Sequence, residues 1–592
     1  MKSSLPFLNR SWALLLVALA SCGVQAHDPP SESDYFADHP VVLSASRLAQ
    51  PMQRAPAPVT VITREMIEAS GFRHLVDVLR LVPGFLVGWS GGNVPAATYL
   101  GLANALPRRM QVMVDGRSVY HPAYGHTTWR RHPLTLDEVD RIEVVRGPNA
   151  ANDGLNSVLG TIHIYTLHSS LTQGTRVKVA AGNAGYRETS LRHGAQHENG
   201  SVRLSVLGRE DERHNVAWDH ASDLMATLRD DSQPTGTDEV AVHAGWSKGA
   251  WLGSHAATFT SPDQEALHQS GHLNAIWRHA PVEGQEWSLQ LHHTYSQNKE
   301  PLTLPAFMDP MGADYRTGVT ALQLAYQDMR RSDVHFSLAG EYRLNRVRMP
   351  DYLDSDGYVR DQVSRLSGGV EWYLGPDWVL HGAAMVENHS DTDGTQFSPR
   401  VAVNWLPAPG HAFRLGYARA ASALNLFANH TDVRLTRSGQ LLDQIELSLN
   451  PIKPEEIRSQ ELGYLFTDPE RHLNLGTRVF RNRLSDIVTG GTVPYANDPV
   501  TGDGLVRTFR NTVSASQRGL EYQLTWQPEA HRWIRLAQSW VERDADNARN
   551  YVRSIPRTTL SLQAASRIGS TDLSLGYYRV SDMLWISGDR DR

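Results

Sequence analysis

The densest group of side chains able to hold a ligand is Tyr120-His-Pro-Ala-Tyr-Gly-His-Thr-Thr-Trp-Arg-Arg-His132. Imidazole nitrogens can bind a metal or a haem iron, guanidinium can neutralise an anionic chelate, and the rings can stack on a planar ligand. With aromatic and amide neighbours upstream, the candidate contact set is Trp89, Asn93, Tyr99, Tyr120, His121, Tyr124, His126, Trp129 and Arg130. The same residue types also suit a polar loop whose histidines are hydrated or bonded to backbone, and the spacing leaves both readings open. His268 and His272 would share a strand face, but two imidazoles lack the third ligand that zinc requires. Gly88-Trp-Ser-Gly-Gly92 has nucleophile-elbow spacing, a geometry that needs a strand before the serine and a helix after it. Pro95 follows closely without helical periodicity, so a glycine-rich loop is expected and no catalytic residue is assigned. Asp354-Ser-Asp-Gly357 and Asp391-Thr-Asp-Gly394 have the look of calcium-loop fragments without the later glutamate. They read as turns between strands, with outer-loop calcium as the alternative. No resident metal or cofactor is expected.

Several classes of function fall away on composition. Formal net charge is -6 over 592 residues, with charge dispersed along the chain and no basic, aromatic-interleaved patch for nucleic acid. Cys22 is the only cysteine, which excludes a disulfide framework. Lys2 and Arg10 flank the apolar run Trp12–Ala20, too short to span a bilayer but suited to an export signal. Val24-Gln-Ala26 fits signal-peptidase cleavage, giving a signal peptide over 1–26; Leu19-Ala-Ser-Cys22 is a rival lipoprotein site. No later stretch is long and apolar enough for a transmembrane helix.

Stepping from side chains to elements, residues 41–166 carry the pattern of a small α+β unit. Pro58–Arg64 reads as a strand, and His74–Val82 as an amphipathic helix with Leu75, Val78, Leu79 and Val82 on one face, stopped by Pro83-Gly84. Gln111–Val114 and Arg141–Val145 read as strands, the first ending at the Asp115-Gly116 turn. From about Thr175 the polarity alternates with period two. Leu520, Tyr522, Leu524 and Trp526 oppose Gly519, Glu521, Gln523 and Thr525, and Val401, Val403 and Trp405 oppose Arg400, Ala402 and Asn404. About 20 strands follow, joined alternately by short turns (197–200, 374–377, 407–410, 526–529) and long polar loops (213–236, 299–312, 421–454, 485–504, 543–554). One apolar face, one polar face and turns of alternating length are what a membrane β-barrel needs.

The order and spacing of Val59-Thr-Val-Ile-Thr-Arg-Glu65, Asp77-Val-Leu-Arg-Leu-Val-Pro-Gly84, Val114-Asp-Gly-Arg117 and Arg141-Ile-Glu-Val-Val-Arg-Gly-Pro148 resemble the plug domain of TonB-dependent outer-membrane receptors. The family's closing segment is present with Ser157, Thr161, His163 and Tyr165 in place of alanine, valine, asparagine and isoleucine, and Leu100 replaces an arginine. Ser398-Pro-Arg400, Asn450–Glu455 and Arg518–Glu521 resemble its barrel segments. The resemblance implies a mainly β fold: a transmembrane antiparallel β-barrel, 22 strands in the family, with an N-terminal α+β plug in its lumen. The expected organisation is a periplasmic segment over 27–50, a plug over 51–170 and a barrel over 171–592 that lacks its last hairpin, since the chain stops at Ser587–Arg592 after about 20 strands.

The resemblance further implies a TonB box at Val41, Val42, Leu43, Ser44 and Ala45, pairing with TonB of the TonB–ExbB–ExbD complex, and places Tyr120–His132 at the plug apex. A short β-prone segment suits strand addition, although it could equally be the plug's first strand. The implied function is proton-motive-force-coupled uptake of a scarce small molecule across the outer membrane, with membrane lipid and lipopolysaccharide as surroundings. A ferric siderophore or other iron chelate is the leading ligand, followed by haem, cobalamin, zinc or oligosaccharide. An uncoupled pore or adhesin is the alternative of another class.

Overall fold

The computed structural model describes residues 41–90, 94–103, 106–212, 220–252, 265–302, 304–392, 394–422, 425–449, 451–499, 501–529, 531–545 and 549–586. The expected signal peptide over 1–26, most of the 27–50 segment, Asn93 and Ser587–Arg592 lie outside these residues.

The plug is a five-stranded mixed sheet with strands in the order 59–63, 139–146, 160–166, 110–114, 117–118. Met110–Val114 and Gly160–Thr166 run parallel and the other neighbours antiparallel. Ile62, Val112, Ile142, Val144, Ile162 and Ile164 are all buried, so the sheet is apolar at its centre. The strand at Pro58–Arg64 is found at Val59–Thr63, and a helix that the apolar spacing did not reveal, Arg64–Ser70, follows at once. It is N-capped by the Thr63 hydroxyl, which accepts from the Met66 N–H, and ended by Gly71 at φ 65°.

The expected helix over His74–Val82 is corrected. Only Leu75–Val78 is α-helical, and Leu79–Leu81 tightens to a 3₁₀ turn. Val76, Val78, Leu79 and Leu81 are all buried, so the segment is enclosed on more than one side rather than amphipathic, and Pro83 leaves it no length to extend. The Gly88–Ser90 run lies in the strand Phe85–Ser90, which pairs antiparallel with Val94–Tyr99. Among the described residues no strand–helix elbow forms there, and Gly88–Ser90 is strand where a glycine-rich loop was expected.

Among the described residues the remainder is one sheet of 21 strands from Gly174–Ala181 to Thr571–Val580, antiparallel but for one parallel pairing at Glu446 and Arg507. Nineteen of them form the wall. The other two, Asp432–Arg437 and Gln440–Leu447, pair with each other in a long loop, while His411–Ala421 pairs directly with Glu456–Asp468 across it. The expected loop 213–236 is also corrected, because His220–Ser232 is a wall strand. Asp223, Arg229 and Asp231 point into the lumen and are paired there, which gave the strand the composition of a loop. No backbone pairing joins the first and last wall strands among the described residues.

Outward faces are apolar. Leu415, Leu462, Val479, Leu520 and Trp540 sit opposite one another along one rung of five strands, exposed by 39–63%. In water such a patch would be a liability, whereas against lipid tails it is satisfied. At the short-turn end Trp378, Trp405, Phe413 and Tyr464 stack side by side at 4.9–5.7 Å, an aromatic girdle of the kind that sits at headgroup level. No helix among the described residues is long and apolar enough to cross a membrane.

Candidate ligand site at the plug apex

Residues 120–127 form a closed loop above the plug sheet. Tyr120 bridges to Thr127, the His121 N–H donates to the His126 carbonyl (2.9 Å), and the Gly125 N–H donates to the His121 carbonyl (2.8 Å). Gly125 adopts φ 73°, and a Cβ there would lie 2.5 Å from the Tyr120 hydroxyl, so the turn demands glycine. The short helix Leu426–His430 of the long outer loop docks on this apex. The Leu426 and Phe427 N–H groups donate to the carbonyls of Pro122 (3.3 Å) and Ala123 (3.0 Å).

Beside the loop lies a cavity of about 180 Å³ whose walls include Tyr124, His126, Trp129, Arg131, Trp251 and Tyr315. Trp251 and Tyr315 come from the loop ends of the wall strands Asp238–Leu252 and Tyr315–Asp328, so the cavity opens toward the long-loop side. The Arg131 guanidinium lies over both rings, 4.6 Å from the Trp251 centroid and 5.3 Å from that of Tyr315. Its carbonyl accepts from the hydroxyls of Ser247 (2.8 Å) and Ser270, which anchors the loop to the wall. Burial lowers Arg131 to about 10, which leaves it charged at neutral pH. Arg130 also reaches the cavity, but Asp223 takes its Nε at 3.0 Å, so its charge is neutralised. His121 is buried beside Tyr124 (5.4 Å, stacked) and Tyr315 (4.8 Å, edge-on). Burial, then His126 and Arg131, push His121 well below the usual histidine range, and burial with Arg117 and Arg131 brings His132 to about 3. These imidazoles are neutral, and Arg131 carries positive charge into a cavity whose lining also includes Glu300.

The structure therefore gathers Tyr120, His121, Tyr124, His126, Trp129 and Arg130 at one place. Trp89 lies to one side, edge-on to His74 at 5.0 Å and lining a second cavity of about 260 Å³ with Trp129 and Arg130. Tyr99 belongs elsewhere. It is fully buried, donates to Glu521 Oε1 (2.5 Å) and accepts from Arg478 (2.7 Å), so its hydroxyl is committed to holding plug to wall. Arg131, Trp251 and Tyr315 were missed by sequence reasoning; Arg131 stood inside the motif, but the two wall residues carry no local signal. His268 and His272 do face the lumen, where His268 stacks on Trp251 (5.0 Å) and its Nε2 is 3.7 Å from Asp223. Among the described residues the grouping with metal-ligand spacing is instead Asp443, Asp498 and Asp503, in the long loops.

Below the apex the plug is bound to the wall by buried charge. Glu521 takes Arg146 (2.9 Å) and Glu455 holds Arg109 through two bonds of 2.6 and 2.7 Å, while within the wall Glu461 takes Arg478 (2.8 Å) and Arg414 (3.1 Å). At the far end Val41–Val42 pairs with Gln50–Pro51. The N–H groups of Leu43 and Ser44 both donate to Glu143 Oε2 at 3.1 Å. The Ser44 carbonyl accepts from Asn149 (3.1 Å), and that of Ala45 from Asn152 and the wall residue Arg400. Val41–Ala45 is thus docked on the plug by hydrogen bonds.

A plug with a cavity at its apex, enclosed by strands whose outer face is apolar, defines a plugged β-barrel. Residues 51–161 match the TonB-dependent Receptor Plug Domain, and residues 169–589 match the TonB dependent receptor-like beta-barrel. The chain belongs to the family of TonB-dependent receptors. It is 33% identical over 177 residues to the vitamin B12 transporter BtuB of Vibrio cholerae serotype O1 (30% of this chain, 28% of the relative). To that of Vibrio vulnificus it is 30% identical over 168 residues (28% and 27%). The matched part thus spans little more than a quarter of these relatives. Solved structures similar in fold include the siderophore receptor PirA of Acinetobacter baumannii, with TM-score 0.72, 15% identity and 91% of this chain and 88% of that one covered. A mutant of the ferric enterobactin receptor PfeA of Pseudomonas aeruginosa gives 0.74, 16%, 93% and 89%.

Proposed function

We propose that this protein resides in the outer membrane and takes up a scarce anionic ligand, an iron chelate of the siderophore type, by coupling through TonB. The observation that carries the reading is the apical cavity, where the Arg131 guanidinium lies over Trp251 and Tyr315, with the Glu300 carboxyl in the same lining acting on its charge. Such a site suits an anionic ligand with flat aromatic or amide surfaces. A filled lumen admits nothing by diffusion, so entry needs work on the plug. The docked Val41–Ala45 segment, a strand at Val41–Val42 that turns at Ser44, is where that work would be applied. Its bonds to Glu143, Asn149, Asn152 and Arg400 are replaceable by backbone pairing with the edge of a TonB sheet. The ligand is bound and moved, with no bond in it made or broken, in keeping with a family of transporters and receptors rather than enzymes.

Cobalamin is the second reading, favoured by the B12 transporters among the relatives. Calorimetric titration of the purified chain with ferric enterobactin and with cyanocobalamin separates the two. Trp129→Ala combined with Arg131→Ala is expected to weaken binding of the iron chelate by at least about tenfold. Unchanged affinity in the double variant would remove the apex from the binding site. Binding of cyanocobalamin alone would replace the iron reading.

A further inference from the structure

The outer face of the wall carries an unusual pair of rungs at the loop end of strands 411–421, 456–468, 473–494, 505–529 and 532–545. Cross-strand register fixes their order. The apolar rung Leu415, Leu462, Val479, Leu520, Trp540 is followed one step outward by Tyr417, Gln460, Arg481, Arg518 and Glu542. The next step is Arg419, Arg458, Arg483, Ser516 and Asp544. Arg419 thus lies directly opposite Arg458, Arg458 opposite Arg483, and Arg481 opposite Arg518. Like charges placed opposite one another on a sheet destabilise it. The wall's own carboxylates compensate only part of this. Glu456 takes Arg419 (2.5 Å) and Arg458 (2.6 Å), and Glu542 takes Arg518 (2.6 Å). Arg481 and Arg483 are exposed, and no hydrogen bond or ion pair from another described residue reaches them. These rungs border an outward-facing groove of about 1000 Å³ whose lining includes Leu415, Leu462, Val479, Arg481 and Arg518, together with the carboxylates Glu542 and Asp544 on the last of the five strands.

We propose that these rungs bind the phosphorylated headgroup of an outer-leaflet lipid, with its acyl chains lying along the apolar rung below. The inference rests on the outer-membrane reading above. Its carrying observation is the juxtaposition of Arg481 and Arg483 with lipid-facing leucine and valine one and two rungs away. Guanidinium binds phosphate through paired N–H donors, and a headgroup with two phosphates matches cations on successive rungs. A free phosphate would satisfy the arginines but would have no use for the apolar rung.

The test is binding of bisphosphorylated lipid A, doped into phosphatidylcholine bicelles, to the full purified chain. Arg481→Gln, Arg483→Gln and Arg518→Gln combined are expected to weaken it by at least about tenfold, and fully dephosphorylated lipid A should bind the wild type no better than that variant does the intact lipid. Wild-type affinity in the variant, or equal binding of the dephosphorylated lipid, would overturn the proposal. Displacement of lipid A by equimolar inorganic phosphate would also overturn it, assigning the arginines to free anions. A heat-dependent shift on gels verifies that the variant folds. Should it not fold, the wild type alone decides: binding must fall steeply with salt, and salt-independent binding overturns the proposal. Recovery of the protein outside the outer-membrane fraction would instead sink the outer-membrane reading itself.

Discussion

At the scale of single residues, His430 shows how charge organises the outer loops. Its Nε2 lies 2.6 Å from Asp391 and its Nδ1 3.4 Å from Asp354, so it joins the two Asp-Gly turns whose sequences have a calcium-loop look. The Asp391 hydrogen bond, outweighing partial burial and helped by Asp354, raises its pKa above the ordinary value. A raised folded-state pKa means stability present in full below the unfolded value and lost as pH rises through the folded one. Protection against hydrogen exchange in the loops at 349–358 and 425–431, taken relative to the intrinsic rate at each pH, is therefore expected to fall as pH rises from about 6 to about 9. His430→Gln should show low protection at both pH values; protection indifferent to pH and to the substitution would contradict the His430 contacts as a stabilising link. Gly125 supports a second expectation. Gly125→Ala must bear a left-handed φ of 73° and a Cβ 2.5 Å from the Tyr120 hydroxyl, costing about 1–3 kcal/mol in thermal or denaturant unfolding, with weakened ligand binding.

At the scale of elements, the plug is held by a few buried ion pairs between strands far apart in sequence. Glu521→Gln leaves Arg146 without its counter-ion and is expected to lower plug stability by roughly 3–5 kcal/mol. Denaturant titration followed by exchange of the 139–146 strand would register it, and an unchanged midpoint would mean the pair contributes little. The sequence revealed strands by their alternation wherever one face meets lipid, as at Leu520–Trp526. It concealed His220–Ser232, where Asp223, Arg229 and Asp231 turn to the lumen and make a strand look like a loop. The helix at His74–Val82 misled for the opposite reason, since burial around Val76 to Leu81 removed the polar face that helical spacing implies. The apical motif was legible as a cluster of ring and guanidinium chemistry. Its partners Trp251 and Tyr315 were not, because only the wrapping of the wall strands around the plug brings them against Arg131.

At the scale of the whole molecule, the two ends of the plug are joined by a sheet. Tyr120–His132 follows Met110–Val114 at the apex, and Val41–Ala45 rests on Glu143 and Asn149 at the other end. A ligand that shifts the apex can bias the docking of the coupling segment only if that segment is separable. Glu143→Ala removes the acceptor of two backbone N–H groups. It is expected to speed hydrogen exchange at Leu43 and Ser44 by roughly tenfold, and unaltered protection would show that the remaining bonds suffice.

The central claim is coupled uptake, and the most direct measurement is accumulation of radiolabelled ferric enterobactin by cells that lack other receptors for it and express this chain. Energised cells should accumulate the label, while a protonophore or deletion of Val41–Ser46 should abolish accumulation and leave surface binding intact. Accumulation that survives both treatments would contradict the account and identify a passive pore.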